Sequence, residues 1–521
     1  MKIYSLLSLL MVSSMAFAQP NIGRMQPNEV AFIVQDLNTG EVLAEHNADT
    51  PMNPASVMKL VTSYAALDTL GADFRWHTVW RSRAAVNGGV LDGNLFWTGS
   101  GDPTMEQDDL IAMQQALRQK GIRTIGGKII LDRSVWSKVA TADNFARDAG
   151  KSFTIAPDQN MLSYKVVWVG VERDENGQLA VVTKPPLPNI AVQNNAQFVA
   201  GSGCGNIARI LKAHWDGAVL HIGGRIPAGC ENQALYVNML PPEEFACESF
   251  IGQWQKQGGQ GRNICLEGET PQEAQVVAEH FSAPLSDAIR TMNKQSDNLF
   301  ARSIFLTLGA NQAGDTVENA RAAVMSSFKQ AGIDTQGLVI ENGSGLSREE
   351  RVTARTLGTM LYRAYYNDLF NEQFIDSLPI AGHDGTLRRR LRDVGGLRMK
   401  TGTLKDVRAL AGFRLPENLN EPPLVVVVMI NSPKSGAYLG DMDNLVRSLV
   451  HLENIKPQQN AFIFSPREHT FSGDPLQKKR ISESNEKYGL FDTKYQTFIY
   501  AVNKVDCEVI KPKFLRAARR S

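Results

Sequence analysis

The sequence predicts a multidomain α+β protein, on three observations. Its 521 residues suffice for roughly three domains. Strand-like and helix-like stretches both occur, and the pattern changes to longer helices from about Gln275 and then to three consecutive strands. Between them a helix–glycine–strand pattern occurs twice, on either side of a stretch that reads as β-rich.

The elements follow in order. Lys2, the apolar run Leu6 to Val12 and Ala16-Phe17-Ala18 read as a leader removed after Ala18. Glu29 to Asp36 and Glu41 to Glu45 predict strands around the hairpin signal Asn38-Thr39-Gly40. A helix is expected from Ser56 to Leu70, with Val57, Leu60, Val61 and Tyr64 on one face. Asp108 to Lys120 predicts a helix, and Gly126-Gly127 leads into a strand Lys128 to Asp132. The pattern returns with a helix Pro242 to Lys256, then Gly258-Gly259 and a strand Arg262 to Glu267. The two halves suggest one domain, into which the β-rich segment 164–238 is itself inserted. Helices are expected over Pro284 to Asn293 and Asn298 to Gly309, with a break at Lys294 to Asp297. Strands follow over Leu397 to Thr403, Arg408 to Phe413 and Leu424 to Asn431, and a last helix over Asp443 to Ile455.

Composition excludes several classes. Net charge is +1, so nothing suggests a nucleic-acid partner. The longest later apolar run, Leu424 to Ile430, is about a third of a membrane span, so no transmembrane segment is expected. From Lys456 onward, 13 Lys and Arg face 7 Asp and Glu, a net +6, which leaves 42 against 47, a net −5, for the rest. That extension, 456–521, is aperiodic and expected to be disordered, with at most weak membrane association. Five cysteines are present, four of them between Cys204 and Cys265 and the fifth at Cys507. With no CxxC and no His at ligand spacing, neither a metal nor another cofactor is implied. Four cysteines allow three pairings; Cys204–Cys230 and Cys247–Cys265 are expected, within the inserted β segment and the second half-repeat.

Three short motifs carry the chemistry. Ser56-Val57-Met58-Lys59 opens a helix, where a spacing of three puts hydroxyl and amine on one face. A neutral Lys59 can accept the hydroxyl proton, and backbone N–H groups at the helix start favour a developing anion. Alone the motif is weak, since roughly two such pairs arise by chance in this length. Ser296-Asp297-Asn298 lies between two helices, where Ser296 can relay a proton and Asn298 can hold a substrate amide. By itself it reads more readily as a helix-capping Ser/Asn pair. Lys400-Thr401-Gly402-Thr403 ends a strand and suits a terminal carboxylate, with Gly402 letting a ligand lie along the backbone. Alone it is a strand end with a turn glycine.

In this order and context the three match the set shared by penicillin-binding proteins and class A β-lactamases. Ser56 and Ser296 are 240 residues apart, and the insertion filling that gap makes the chain resemble class C low-molecular-mass penicillin-binding proteins of the penicillin-binding protein 4 type. Gly99-Ser100-Gly101-Asp102-Pro103, Asn342-Gly343-Ser344-Gly345-Leu346-Ser347-Arg348 and Gly382-His383-Asp384-Gly385-Thr386-Leu387 add local matches. The resemblance covers about residues 25–455. It implies a β-lactamase/transpeptidase-like catalytic domain, an antiparallel sheet flanked by helices, interrupted by two nested, mostly β inserted domains. The expected limits are 19–80 and 275–455 for the catalytic domain, 81–163 and 239–274 for the outer insert, and 164–238 for the inner one.

The implied activity is periplasmic D-alanyl-D-alanine carboxypeptidase action on peptidoglycan stem peptides, with D,D-endopeptidase action, through an acyl-enzyme on Ser56. β-Lactam antibiotics are the implied covalent inhibitors. The resemblance also implies an oxyanion hole at the backbone N–H groups of Ser56 and Thr403. It puts the side chain of the stem peptide's third residue against Asp148, Phe153 and Arg348. The sequence departs from the family between Asp148 and Phe153, and places Lys405 where related proteins can carry an uncharged polar residue.

Two rivals share these motifs. A β-lactamase usually carries a Glu-x-x-Leu-Asn run between the second and third motifs, and none lies between Asn298 and Lys400. A non-catalytic peptidoglycan- or β-lactam-binding protein is disfavoured by the intact Ser56, Lys59, Ser296 and Lys400. His383-Asp384 reads as part of a turn rather than of a Ser-His-Asp triad. Trp76, Trp80, Trp97 and Trp136 read as core rather than as sugar-stacking platforms.

Overall fold

The structure, a computed structural model, describes residues 20–451 apart from 138, 140–144, 146–151 and 419. The expected leader, Asp148, Cys507 and the basic extension lie outside the described residues.

Strands β1 (Val30–Asp36) and β2 (Val42–His46) form the expected hairpin, and helix α1 (Met58–Leu70) follows a 3-10 turn at Ala55–Val57. Next come β3 (His77–Ser82), β4 (Val86–Asn87), β5 (Val90–Leu91), β6 (Leu95–Thr98), α2 (Gln107–Gln119), β7 (Thr124–Ile125) and β8 (Ile129–Asp132). The β-rich segment holds β9 (Val167–Arg173), β10 (Leu179–Lys184), β11 (Ala191–Val199), α3 (Ile207–Ile210), β12 (Lys212–Trp215), β13 (Val219–Pro227) and β14 (Ala234–Val237). Then follow α4 (Pro242–Lys256), β15 (Gln260–Gly261), β16 (Cys265–Glu267) and β17 (Gln275–Phe281). Five helices succeed them: α5 (Leu285–Gln295), α6 (Asn298–Leu308), α7 (Thr316–Gln330), α8 (Ala354–Tyr365) and α9 (Asn371–Ser377). The described chain closes with β18 (Leu397–Leu404), β19 (Val407–Arg414), β20 (Leu424–Asn431) and α10 (Leu439–Leu449).

The two ends of the described chain make one antiparallel sheet in the order β18-β19-β20-β1-β2. Its central strand β20 is apolar from Leu424 to Ile430, and both of its faces are covered. Val425, Val427 and Met429 pack with Ala31 and Ile33 against helices that include α1, α5, α6 and α8. Val426, Val428 and Ile430 face the opposite way, with Phe32 and Val34, onto Met442, Leu445, Val446 and Leu449 of α10. Period-two alternation thus feeds two cores, each buried Val contributing about 1.5–3 kcal/mol. The fold is α+β and multidomain, as expected.

The near-repeat pairs with itself. β7 and β15 run parallel, as do β8 and β16, within sheets ordered β15-β7-β5-β4 and β16-β8-β6-β3-β17. Their shared core holds Trp80, Trp97, Phe250 and Trp254. The segment between the halves forms two three-stranded sheets, β10-β9-β14 and β11-β13-β12. Both expected disulfides form, Cys204–Cys230 and Cys247–Cys265, with Cα atoms 4.7 and 6.0 Å apart.

Three expectations of detail change. Gln275, expected to open the helical region, instead begins β17, because Gln275–Phe281 hydrogen-bonds to His77–Ser82 of β3. The expected domain limit after residue 80 falls inside β3. The last helix begins at Leu439 rather than Asp443 and ends at Leu449. Gly440 in its first turn conceals the start, although Met442 already belongs to the buried stripe.

Candidate active site

Ser56 sits on a turn clamped from three sides. Asn53 Oδ1 accepts from Ala55 N at 2.9 Å, and Asn53 Nδ2 donates to the Ser347 carbonyl at 2.9 Å. Asn53 and Asn431 exchange two bonds, tying the turn to the end of β20. Two glycines press on it. A Cβ on Gly345 would lie 2.0 Å from the Ala55 carbonyl oxygen, and Gly345 has φ +83°. A Cβ on Gly402 would lie 2.4 Å from the Pro54 carbonyl oxygen. Only glycine permits both approaches.

Lys59 lies on the first turn of α1, which is buried from Met58 to Leu67. Its Nζ is 3.1 Å from Ser56 Oγ, 2.6 Å from Asn298 Oδ1 and 2.5 Å from the Ser344 carbonyl. Complete burial lowers its pKa to about 7, against the opposing pull of Asp297 and Glu350. Glu350 is itself 0% exposed, and burial raises its carboxyl to about 7. Asn342 N donates to Glu350 Oε1 at 3.2 Å.

The break between α5 and α6 is compact. Ser296 takes a left-handed φ of 60° and ends α5, while Asp297 caps α6 by accepting from Phe300 N at 3.0 Å. The N-cap is therefore Asp297, not Ser296 or Asn298, which frees both for other contacts. Ser296 Oγ accepts from Lys400 Nζ at 2.8 Å, and Asn298 Nδ2 donates to the Phe153 carbonyl at 3.0 Å. Lys400 is fully buried, and desolvation together with neighbouring Lys59 lowers its pKa strongly.

β18 is an edge strand: among the described residues it pairs with β19 and, beside Arg398, with Ile380. Thr401 Oγ1 donates to Thr386 Oγ1 at 2.8 Å, and Thr403 is exposed. An edge of this kind accepts an extended ligand as an added strand. The Gly382–Leu387 turn supplies Thr386. Its Asp384 accepts from Lys294 Nζ at 2.6 Å and from Ile380 N at 2.7 Å, which is a structural role.

The structure thus brings together Ser56, Lys59, Ser296, Asn298 and Lys400 from three separated motifs. Phe153 reaches the group through its backbone, with its side chain 40% exposed. Arg348 donates to the Lys405 carbonyl at 2.8 Å, and its guanidinium lies 5.6 Å from the Phe145 ring centroid. Asp148 is outside the described residues. Sequence reasoning missed Asn53, the Ser344 carbonyl, Glu350 and Asn431. The Asn342-to-Arg348 run was the signal for Ser344, while a lone Glu or Asn gives none. The four tryptophans are buried, and among the described residues no His, Cys, Asp or Glu cluster could hold a metal.

Residues 13–446 match the D-Ala-D-Ala carboxypeptidase 3 (S13) family. A D-alanyl-D-alanine carboxypeptidase of Actinomadura sp. (strain R39) is 30% identical over 402 residues, 73% of this chain and 74% of the relative. D-alanyl-D-alanine carboxypeptidase DacB of Haemophilus influenzae is 28% identical over 423 residues, 78% of this chain and 86% of the relative. The crystal structure of penicillin binding protein 4 from Haemophilus influenzae superposes with a TM-score of 0.62 at 26% identity, covering 81% of this chain and 95% of that one. The chain belongs to the D-Ala-D-Ala carboxypeptidase 3 (S13) family and is a class C low-molecular-mass penicillin-binding protein.

Proposed function

We propose that this chain is a serine D-alanyl-D-alanine carboxypeptidase, and a D,D-endopeptidase, acting on peptidoglycan stem peptides through Ser56. The observation that carries the reading is Ser56 Oγ, 3.1 Å from a buried Lys59 whose pKa sits near 7. A neutral amine keeps two N–H bonds for Asn298 Oδ1 and the Ser344 carbonyl, and turns its lone pair to the serine. Lys59 takes the Ser56 proton as Oγ bonds to the D-alanyl carbonyl carbon. The carbonyl oxygen becomes an oxyanion, received by the backbone N–H groups of Ser56 and Thr403. When the C–N bond breaks, the proton that Lys59 took passes through Ser296, which Lys400 orients, to the leaving amine, and Lys59 is neutral again. The substrate's terminal carboxylate lies at Lys400, Thr401 and Thr403, its backbone beside Gly402, and its amide at Asn298. Water then hydrolyses the Ser56 ester.

Asp148, Phe153 and Arg348 are assigned to the side chain of the stem peptide's third residue, with Phe145 holding the Arg348 plane. Residues 1–18 direct export, and the enzyme works in the periplasm, where both disulfides persist. Beyond the catalytic domain, the self-pairing half-repeats form the outer insert, and β9 to β14 the inner one. Penicillin mimics the D-Ala-D-Ala end and acylates Ser56. The test is mass spectrometry of the protein with penicillin beside Ser56→Ala. A slowly lost adduct on the Ser56 peptide supports the reading, and fast turnover without an adduct indicates a β-lactamase. No reaction from folded protein leaves a binding module.

A further inference from the structure

Three consecutive residues, Ser163, Tyr164 and Lys165, hold left-handed φ values of 43°, 54° and 47°. Non-glycine residues avoid this region, so such a run persists only where the surroundings impose it. Both halves of the near-repeat impose it here. Ser163 Oγ donates to Glu106 Oε2 at 2.5 Å and accepts from Gln107 N at 3.1 Å, at the head of α2. Lys165 Nζ donates to the Leu240 carbonyl at 2.7 Å, just before α4. Between these anchors Tyr164 reaches the helix break. Its hydroxyl donates to Asp297 Oδ2 at 2.8 Å, and its ring stacks on Phe300 with centroids 6.0 Å apart. Asp297 lies between Ser296 and Asn298 and caps the helix that carries Asn298.

We propose that Tyr164 is a positioning residue for acyl transfer: held at the break by the strained turn, it fixes the Asp297 carboxylate and so sets Asn298 and the proton equilibrium of Lys59. The inference rests on the reading of Ser56 and Lys59 above. The charged groups concerned are few. Lys59 on α1 faces Asp297 and Glu350, Lys400 on β18 faces Lys59, and Glu106 faces Tyr164. Burial and the Asp297 charge raise the Tyr164 hydroxyl well above its ordinary range, so it remains a donor. Its bond favours ionised Asp297, which in turn favours charged Lys59. Without the hydroxyl, Asp297 neutralises more readily and Lys59 becomes neutral at a lower pH.

The test is the pH profile of penicillin acylation for Tyr164→Phe in the full chain. We expect the plateau rate to fall about threefold to tenfold, from a loosened Asn298. The midpoint of the acid limb should move down by about half a pH unit. In an Asp297→Asn background the same change should move the midpoint no further. A Y164F profile superimposable on the wild type, or an equal displacement beside D297N, overturns the inference while leaving Ser56 intact. Should Y164F not fold, Ser163→Ala, which frees the turn from Glu106, carries the same test, with a midpoint shift in the same direction expected and an unmoved midpoint overturning it. A folded wild type that penicillin does not acylate overturns the reading of Ser56, and this inference with it.

Discussion

Lys59 Nζ lies closer to the Ser344 carbonyl oxygen, at 2.5 Å, than to Ser56 Oγ, at 3.1 Å. The proposed base is therefore held by the Asn342–Arg348 loop and Asn298, not by the nucleophile it would serve. That loop keeps its own shape: Asn342 Oδ1 accepts from Ser344 N at 3.0 Å, and Asn342 Nδ2 donates to the Leu346 carbonyl at 2.9 Å. The serine is left free to turn between the amine and a substrate carbonyl.

The first prediction concerns pH. Burial holds Lys59 near 7, so the amine is charged below that pH and neutral above it. The rate of penicillin acylation should rise with pH through about 7 and then level off. Lys59→Met should lower the plateau about 10²–10⁴-fold, the usual worth of a positioned base. Stopped-flow acylation rates across the range decide it. A flat profile in the wild type would remove Lys59 from the role of base.

Gly345 offers a sharper test of placement. Gly345→Ala puts a Cβ 2.0 Å from the Ala55 carbonyl at a backbone φ of +83°. The left-handed backbone alone costs about 1–2 kcal/mol, and the clash drives the Ser56 turn away from Lys59. We expect acylation to fall about 10²-fold, with a lower Tm. An unchanged rate would mean that the turn tolerates the shift.

How much of this was legible in the sequence follows physical lines. The strands of the central sheet and the helix at Ser56 were readable because apolar period and turn residues agree there. Grouping of the four cysteines left three pairings open, and assigning each pair to one inserted segment matched the bridges that form. β17 was not, because Gln275–Phe281 is mostly exposed, with Ala278 its one buried residue, and so carries no apolar alternation. The three motifs stood out as motifs, but the partners that hold them did not. Glu350, Asn53 and Asn431 act through burial and hydrogen bonds that no spacing reveals. Tyr164 depends on a strained turn that its sequence, Ser-Tyr-Lys, does not announce.

The Cys247–Cys265 bridge joins α4 to β16, and neither cysteine belongs to the three motifs. Opening this loop, with its sequence separation of 18, should destabilise by about 3 kcal/mol on the chain-entropy account. Cys247→Ser with Cys265→Ser should therefore lower the Tm while penicillin acylation at 25 °C stays within about twofold. A collapse of acylation in folded double variant would show that the bridge shapes the catalytic centre.

The basic extension invites truncation. It lies beyond residue 446, where the family match ends, and carries the +6 net charge noted above. Deleting 458–521 should leave acylation intact. A truncated protein that folds but does not react would assign the extension a part in catalysis.

The last prediction separates charge from packing at Glu350. Its carboxyl, 0% exposed and raised to about 7, binds a proton in the folded chain that the unfolded chain releases near 4.5. Its contribution to stability is thus full below about 4.5 and is lost as pH rises through about 7. Lys59 works the other way, since a lowered pKa makes its penalty greatest below about 7 and relieves it at higher pH. Glu350→Gln removes the first dependence and leaves the second. The Tm of E350Q relative to the wild type should therefore climb between about pH 5 and 8. The same change deletes a negative charge facing Lys59, so the acid limb of acylation should move to lower pH. Calorimetry and acylation rates at matched pH read both effects. A Tm difference that stays constant with pH would show that Glu350 does not titrate in this range.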